Sequence, residues 1–129
     1  MDRIEKRLVL LYSLRKKQLD KVLKDYGLTY EDYQVIKTLR FIDGASIEDI
    51  REAVGRHLTS TQRIVDALIE NGLIEMNADR IYLTEAVKKL YPQIKKLVKK
   101  ADEAMMSQIT HQEHDEMINI LDKLIEHYE

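Results

Sequence analysis

The 129-residue chain has no cysteine and no tryptophan, one phenylalanine, one proline and four glycines. The absence of thiols excludes a disulfide scaffold, a Cys-ligated zinc finger, an iron–sulfur cluster and a thiol nucleophile. Its longest uninterrupted apolar run is Leu8–Tyr12, far short of the ~20 residues that span a bilayer. Nothing in it reads as a secretory leader, so the expected address is the cytoplasm, with no membrane partner. An excess of one charge sign is missing too. With 21 Lys and Arg against 23 Asp and Glu, the net charge is −2, which excludes a polybasic nucleic-acid coat but leaves room for a local basic face. What remains is 44% hydrophobic and 34% charged, enough for one packed domain. The scarcity of Gly and Pro points to helix, with a core of Leu, Ile, Val, Met and Tyr.

Hydrophobic spacing divides the chain. From Asp2 to Asp25, Ile4, Leu8, Leu11, Leu19, Val22 and Leu23 recur at helical steps, while Val9, Leu10 and Tyr12 broaden the apolar surface to a second side. A helix apolar on two sides has two partners, one of them expected to be another chain. Gly27 is expected to end it, and Thr29 with Asp32 to open a second helix that the Asp43-Gly44 pair breaks. Ser46 with Asp49 predicts a cap on a short helix, Ile47 to Val54, closed by a turn at Gly55. Thr59, or Ser60 beside it, is expected to cap the next helix, whose apolar positions are Ile64, Val65, Leu68 and Ile69.

After Gly72 the period shortens. Leu73–Met76 and Arg80–Leu83 read as two strands around an Asn77-Ala78-Asp79 turn. Helical spacing returns from Thr84 through Met105, with Pro92 either kinking the helix or starting a new one. Thr110 with Glu113 is a capping box for a last helix that carries Met117, Ile120, Leu121, Leu124, Ile125 and Tyr128 on one face. The fold class is therefore mainly α with one small β-hairpin. A short helix, a glycine turn, a second helix with a polar first half and a hairpin directly behind it form a winged helix-turn-helix pattern.

The phrases Gly27-Leu28-Thr29, Ser60-Thr61-Gln62-Arg63-Ile64-Val65-Asp66-Ala67-Leu68-Ile69-Glu70-Asn71-Gly72-Leu73-Ile74 and Leu83-Thr84-Glu85 resemble the multiple antibiotic resistance regulator (MarR) family of winged-helix transcription factors. The resemblance covers nearly the whole chain. It implies a single domain, residues 1–129, with a DNA-binding part at about 28–84 and dimerisation helices at about 1–26 and 85–129. It further implies a homodimer that binds a pseudo-palindromic operator on double-stranded DNA, acts as a repressor, and responds to a small-molecule effector. Tyr12, Tyr30 and Tyr33 are available to line an effector cavity, although aromatic residues at helical spacing serve equally as core.

The residue chemistry agrees with that role. A recognition helix needs donors and acceptors on its first turns, where it meets base edges. Thr59, Ser60, Gln62 and Arg63 supply them: Arg bridges the two acceptors of guanine, and Gln pairs with adenine. Arg56 and His57 in the turn are placed for phosphate contacts, and Arg80 is the cation of the hairpin. Thr61 stands where the family has an apolar residue and reads as a small packing position.

Two departures motivate an alternative, a winged-helix protein-interaction module that no longer binds DNA. The family's wing is longer, with an Asp-x-Arg near its tip, whereas Asp79 and Arg80 are adjacent. Residues 46–84 also hold four Arg against seven acids, few cations for a task that rests on phosphate neutralisation. Residues 1–24 carry a net +5 and residues 111–129 a net −5, so the acidic last helix is expected near the basic first one, within or between chains. Lys95, Lys96, Lys99 and Lys100 form a further basic run. His111 and His114 lie three apart, but surface histidines are the simpler reading and no metal or other cofactor is expected. There is no phosphate loop, nucleophile elbow or His-Glu-x-x-His motif, so no enzyme is expected.

Overall fold

The computed structural model describes residues 2–55 and 58–129, with the backbone but not the side chains of Asp2, Leu58 and Thr59. Helix α1 spans Asp2–Leu23 and tightens into a single 3₁₀ turn, Lys24–Tyr26, rather than running as regular helix to Asp25. The Gly27 N–H reaches the Lys24 carbonyl at 2.9 Å with φ at +70°, the left-handed cap that glycine adopts without steric cost. Helices α2 (Tyr30–Phe41), α3 (Ile47–Val54) and α4 (Leu58–Glu70) follow, then strands β1 (Ile74–Asn77) and β2 (Arg80–Leu83). Helices α5 (Glu85–Met106) and α6 (His111–Glu126) complete the chain.

Reciprocal capping boxes start three of the helices: Thr29 with Asp32, Ser46 with Asp49, and Thr110 with Glu113. In each the hydroxyl accepts a backbone N–H three residues on, and the carboxylate accepts the cap's own N–H. Such a cap contributes about 1 kcal/mol. The expectation of a cap at Thr59 or Ser60 needs correction. Helix α4 already includes Leu58, so both lie in its first turn and the capping position falls outside the described residues. Ser and Thr suit either place, which is why a boundary read from them slips by a residue or two.

The hairpin is tighter than the sequence suggested. Leu73 precedes β1, Asn77 pairs with Arg80, and only Ala78 and Asp79 form the turn. Their φ angles of 50° and 65° are those of a two-residue turn whose twist matches the strands. Ile81 is tied to Ala45 by hydrogen bonds of 3.1 and 2.8 Å, so the hairpin is anchored to the segment that leads into α3. At Gly44, φ is +82° and the Tyr82 ring lies 3.0 Å from where a Cβ would stand.

Pro92 sits inside α5, which neither ends nor restarts there. Pro92 and Lys88 are both exposed, so water can satisfy the Lys88 carbonyl that the proline leaves without a partner. Val87, Tyr91, Ile94 and Val98 of α5 close over Leu19 and Leu23 of α1, Ile36 and Leu39 of α2, Ile50 of α3 and Val65 and Leu68 of α4. Each such side chain contributes about 1.5–3 kcal/mol on burial. Two regions stay out of this core. The first half of α1 exposes Ile4, Leu8, Val9, Leu10, Leu11 and Leu14, and α6 buries none of its residues.

Candidate nucleic-acid interface

Gly55, at φ +66°, lets the chain leave α3 with its N–H on the Arg51 carbonyl at 2.9 Å. Helix α4 then lies across the core on the face carrying Thr61, Val65 and Leu68, all fully or almost fully buried. Thr61 is the packing residue that the sequence suggested. A face inward at residues 61, 65 and 68 turns residues 62 and 63 outward, as helical geometry requires. Gln62 and Arg63 are both exposed, and Ser60 is half-buried. The Gln62 amide donates to Asp66 at 2.8 Å within its own helix. Among the described residues Arg63 makes no ion pair. Arg56 and His57 lie outside the described residues, as does the Thr59 side chain.

The other two arginines of this region are engaged. Arg51 Nε donates to Glu48 at 2.9 Å, and its guanidinium also lies 3.7 Å from Glu52. That pairing, above all the hydrogen bond donated to Glu48, holds its pKa above the ordinary value. Arg80, the first residue of β2, reaches across to α3 and stands 3.7 Å from Asp49 Oδ2. Asp49 is the acid of the Ser46 capping box. Its carboxyl is held below the usual range, chiefly by the Ser46 backbone N–H, then by the Ser46 hydroxyl, with a smaller contribution from Arg80.

A second feature lies above this region, where α1, α2, the end of α3 and α5 enclose an open cavity of about 630 Å³. Arg15 of α1 grips Asp102 of α5 with two hydrogen bonds of 3.0 Å and donates a third, at 2.9 Å, to the Tyr30 hydroxyl. Asp102, followed by Tyr30, keeps the guanidinium pKa above its ordinary value despite partial burial. Tyr33 is pushed up to about 12, first by burial and then by the neighbouring Tyr91. Gln34 Oε1 is buried with no partner among the described residues, and Lys37, Lys95 and Lys99 stand at the cavity's edge. Of the three tyrosines considered from the sequence, Tyr30 and Tyr33 line this cavity; Tyr12 does not and is 49% exposed. Sequence reasoning did not single out Gln34, Tyr91 or Asp102. Arg15 and Asp102 are 87 positions apart, and no short-range spacing announces such a pair.

Among the described residues no group of His, Cys, Asp and Glu is arranged to hold a metal, and His114 Nδ1 faces Asp115 at 3.3 Å. No described helix is long and apolar enough to cross a membrane. No ion pair joins α1 to α6 among the described residues; Arg15 is spent on α5 instead.

No protein-family model and no curated protein matches the chain. Solved structures do. A MarR transcriptional regulator from Methanosarcina mazei is 25% identical with a TM-score of 0.86, over 98% of this chain and 89% of that one. The S. aureus MepR–DNA complex is 19% identical with a TM-score of 0.88, over 96% of both chains. The fold is that of the MarR family. A Mycobacterium tuberculosis MarR family protein solved with p-aminosalicylic acid also matches, at 18% identity and a TM-score of 0.75, over 93% of this chain and 96% of that one. In MarR terms α3 and α4 are the helix-turn-helix and β1–β2 the wing, and the wing of this chain turns on two residues.

Proposed function

We propose that this chain is a cytoplasmic, non-catalytic, dimeric transcriptional regulator of the MarR type, a repressor that binds a pseudo-palindromic DNA site and is released by a small effector. The observation that carries the reading is the second helix of the helix-turn-helix. It is clamped to the core by Thr61, Val65 and Leu68 and presents to solvent Gln62 and Arg63, the latter without an ion pair among the described residues. The DNA-bound state of MepR supports it by likeness of fold. Residues 28–84 form the DNA-binding part, with Arg56, His57, Thr59, Ser60, Gln62, Arg63 and Arg80 as its contacts. Gln62 gives up Asp66 to reach a base. Two recognition helices enter successive major grooves about one helical turn, or ~10 bp, apart.

Helices 1–26 and 85–129 supply the dimer. Leu8, Leu11 and Leu14 of α1 and Ile120, Leu124 and Ile125 of α6 are between 50% and 57% exposed, an apolar surface that a single copy leaves in water. The net +5 of residues 1–24 and net −5 of residues 111–129 form no ion pair with each other among the described residues of one chain, and pair between two copies. The cavity has the chemistry for a small aromatic acid: a wall of Tyr30, Tyr33 and Tyr91, lysines at its edge and an unspent acceptor on Gln34. The p-aminosalicylic acid complex of the mycobacterial protein is in line with that ligand class.

The test is fluorescence anisotropy on random duplex DNA at about 50 mM salt, where phosphate contacts are strongest. The wild type is expected to bind with a steep salt dependence. Arg63→Ala is expected to cost about 1–3 kcal/mol on an operator sequence. An undetectable wild-type complex, or an Arg63→Ala protein that binds as well as wild type, supports instead the interaction module, which the pairing of Arg51 and Arg80 with acids also favours.

A further inference from the structure

Between Arg63 and Lys88 the chain contains one cation, Arg80. The two-residue turn places it at the first position of β2, opposite Asn77 and next to the wing's tip. From there its guanidinium reaches back to α3 rather than outward, and rests 3.7 Å from Asp49 Oδ2. Both side chains are about half exposed, at 55% and 42%. Asp49 does not depend on Arg80 for its place. The Ser46 N–H donates to Oδ2 at 3.1 Å, and the Asp49 N–H donates to the Ser46 hydroxyl at 3.0 Å. The carboxylate is fixed by the backbone, and the arginine is the movable member.

We propose that Asp49 is a positioning residue that parks the wing's Arg80 against α3 and so sets how strongly this chain grips DNA. The proposal rests on the DNA-binding reading above. A phosphate offers the guanidinium the same kind of anionic oxygen as Asp49, with a fuller charge. Arg80 reaches DNA only by leaving the carboxylate. The parked pair is exposed and 3.7 Å apart, so it is a weak one and gives way readily. Asp49 thus lowers affinity without abolishing it. A short wing and an acidic helix-turn-helix then act as one device that keeps the complex weak and easily released.

The experiment measures binding to random duplex DNA across a salt series for wild type, Asp49→Asn, Arg80→Ala, the double variant and Glu52→Gln. Asparagine keeps an acceptor for the Ser46 N–H and removes the charge. Asp49→Gln does the same with a residue usual at that place in a capping box, and serves if the asparagine variant melts early. Asp49→Asn is expected to tighten binding about three- to fivefold per half-site, with the salt slope nearly unchanged because Arg80 makes its one phosphate contact in both proteins. In the Arg80→Ala background that gain disappears. Glu52→Gln removes an equal charge from the same helix without touching Arg80, and is expected to give a clearly smaller gain. Three results overturn the proposal: Asp49→Asn binding no better than wild type, a gain that survives Arg80→Ala, or an equal gain from Glu52→Gln. If the wild type binds and these outcomes appear, only the role of Asp49 fails; if neither wild type nor Asp49→Asn binds, the DNA-binding reading fails with it.

Discussion

Helices α5 and α6 are both amphipathic, follow one another in the chain and meet opposite fates. The 22 residues of α5 bury Val87, Tyr91, Ile94 and Val98, whereas the 16 residues of α6 bury none, although Met117, Ile120, Leu121, Leu124 and Ile125 repeat at the same helical step. Periodicity states that a face is apolar and not what covers it. Helix α5 runs antiparallel along α1, held at one end by Arg15–Asp102 and at the other by Tyr26–Gln93 at 3.0 Å, and finds its cover inside the chain. Helix α6 leaves the end of α5 through Ser107–Thr110 and has no such neighbour among the described residues; under the proposed function its cover is a second copy.

The largest expected effect breaks that difference where it is greatest. Leu124→Glu in α6, or Leu8→Glu in the open half of α1, puts a charge into the proposed dimer contact. Either change is expected to cost at least about 3 kcal/mol, more than a hundredfold in the dimer dissociation constant. Sedimentation at micromolar concentration is then expected to show a monomer for the variant and a dimer for wild type. A wild type that sediments as a monomer, or a variant that remains dimeric, removes the idea that α6 waits for a partner.

A matched pair of truncations sharpens the comparison. Ile94→Ala in α5 opens a cavity beside a fully buried site and is expected to lower unfolding stability by about 2–5 kcal/mol. Ile120→Ala in α6, where the side chain is 57% exposed, is expected to stay within about 0.5 kcal/mol for the monomer. It weakens only the association. Urea melts of both at concentrations spanning the dimer equilibrium separate the two costs. Equal losses at low concentration contradict the structure.

The smallest effect concerns pH on the α5 side. Tyr33, buried and beside Tyr91, is pushed up to about 12 from an ordinary 10. The folded state therefore holds its proton where the unfolded chain has lost it. The stability this contributes is complete below pH about 10 and is lost as pH rises toward 12, since the unfolded state then binds fewer protons than the native one. Ultraviolet titration is expected to show a tyrosine ionising near 12. Tyr33→Phe is expected to flatten the alkaline slope of the melting temperature while leaving the neutral value nearly unchanged. A slope that persists in the variant assigns the effect to another group.

The outline of this fold was legible in the sequence because its signals are local. Thr29 with Asp32, Ser46 with Asp49 and Thr110 with Glu113 join residues three apart, so the chemistry that starts each helix is written within one turn. The hairpin was placed from turn residues and alternation, and Gly27, Gly44, Gly55 and Gly72 all hold the positive φ that such breaks require. Order, spacing and the polar first half of α4 were likewise enough to suggest a helix-turn-helix and to single out Gln62 and Arg63. Boundaries were the first thing to blur, as at α4, because one hydroxyl suits both a cap and the turn after it.

What the sequence determined, then, is the list of elements and which face of each is apolar. Only the tertiary structure decided which faces meet. Arg15 finds Asp102, Tyr33 finds Tyr91 and Arg80 finds Asp49 because helices and hairpin close around a shared core, and the side chains at its edges are brought together as a consequence. Hydrophobic burial fixes that closure without direction of its own, so a pairing between distant polar residues leaves no trace in the order of the chain until the core has set it.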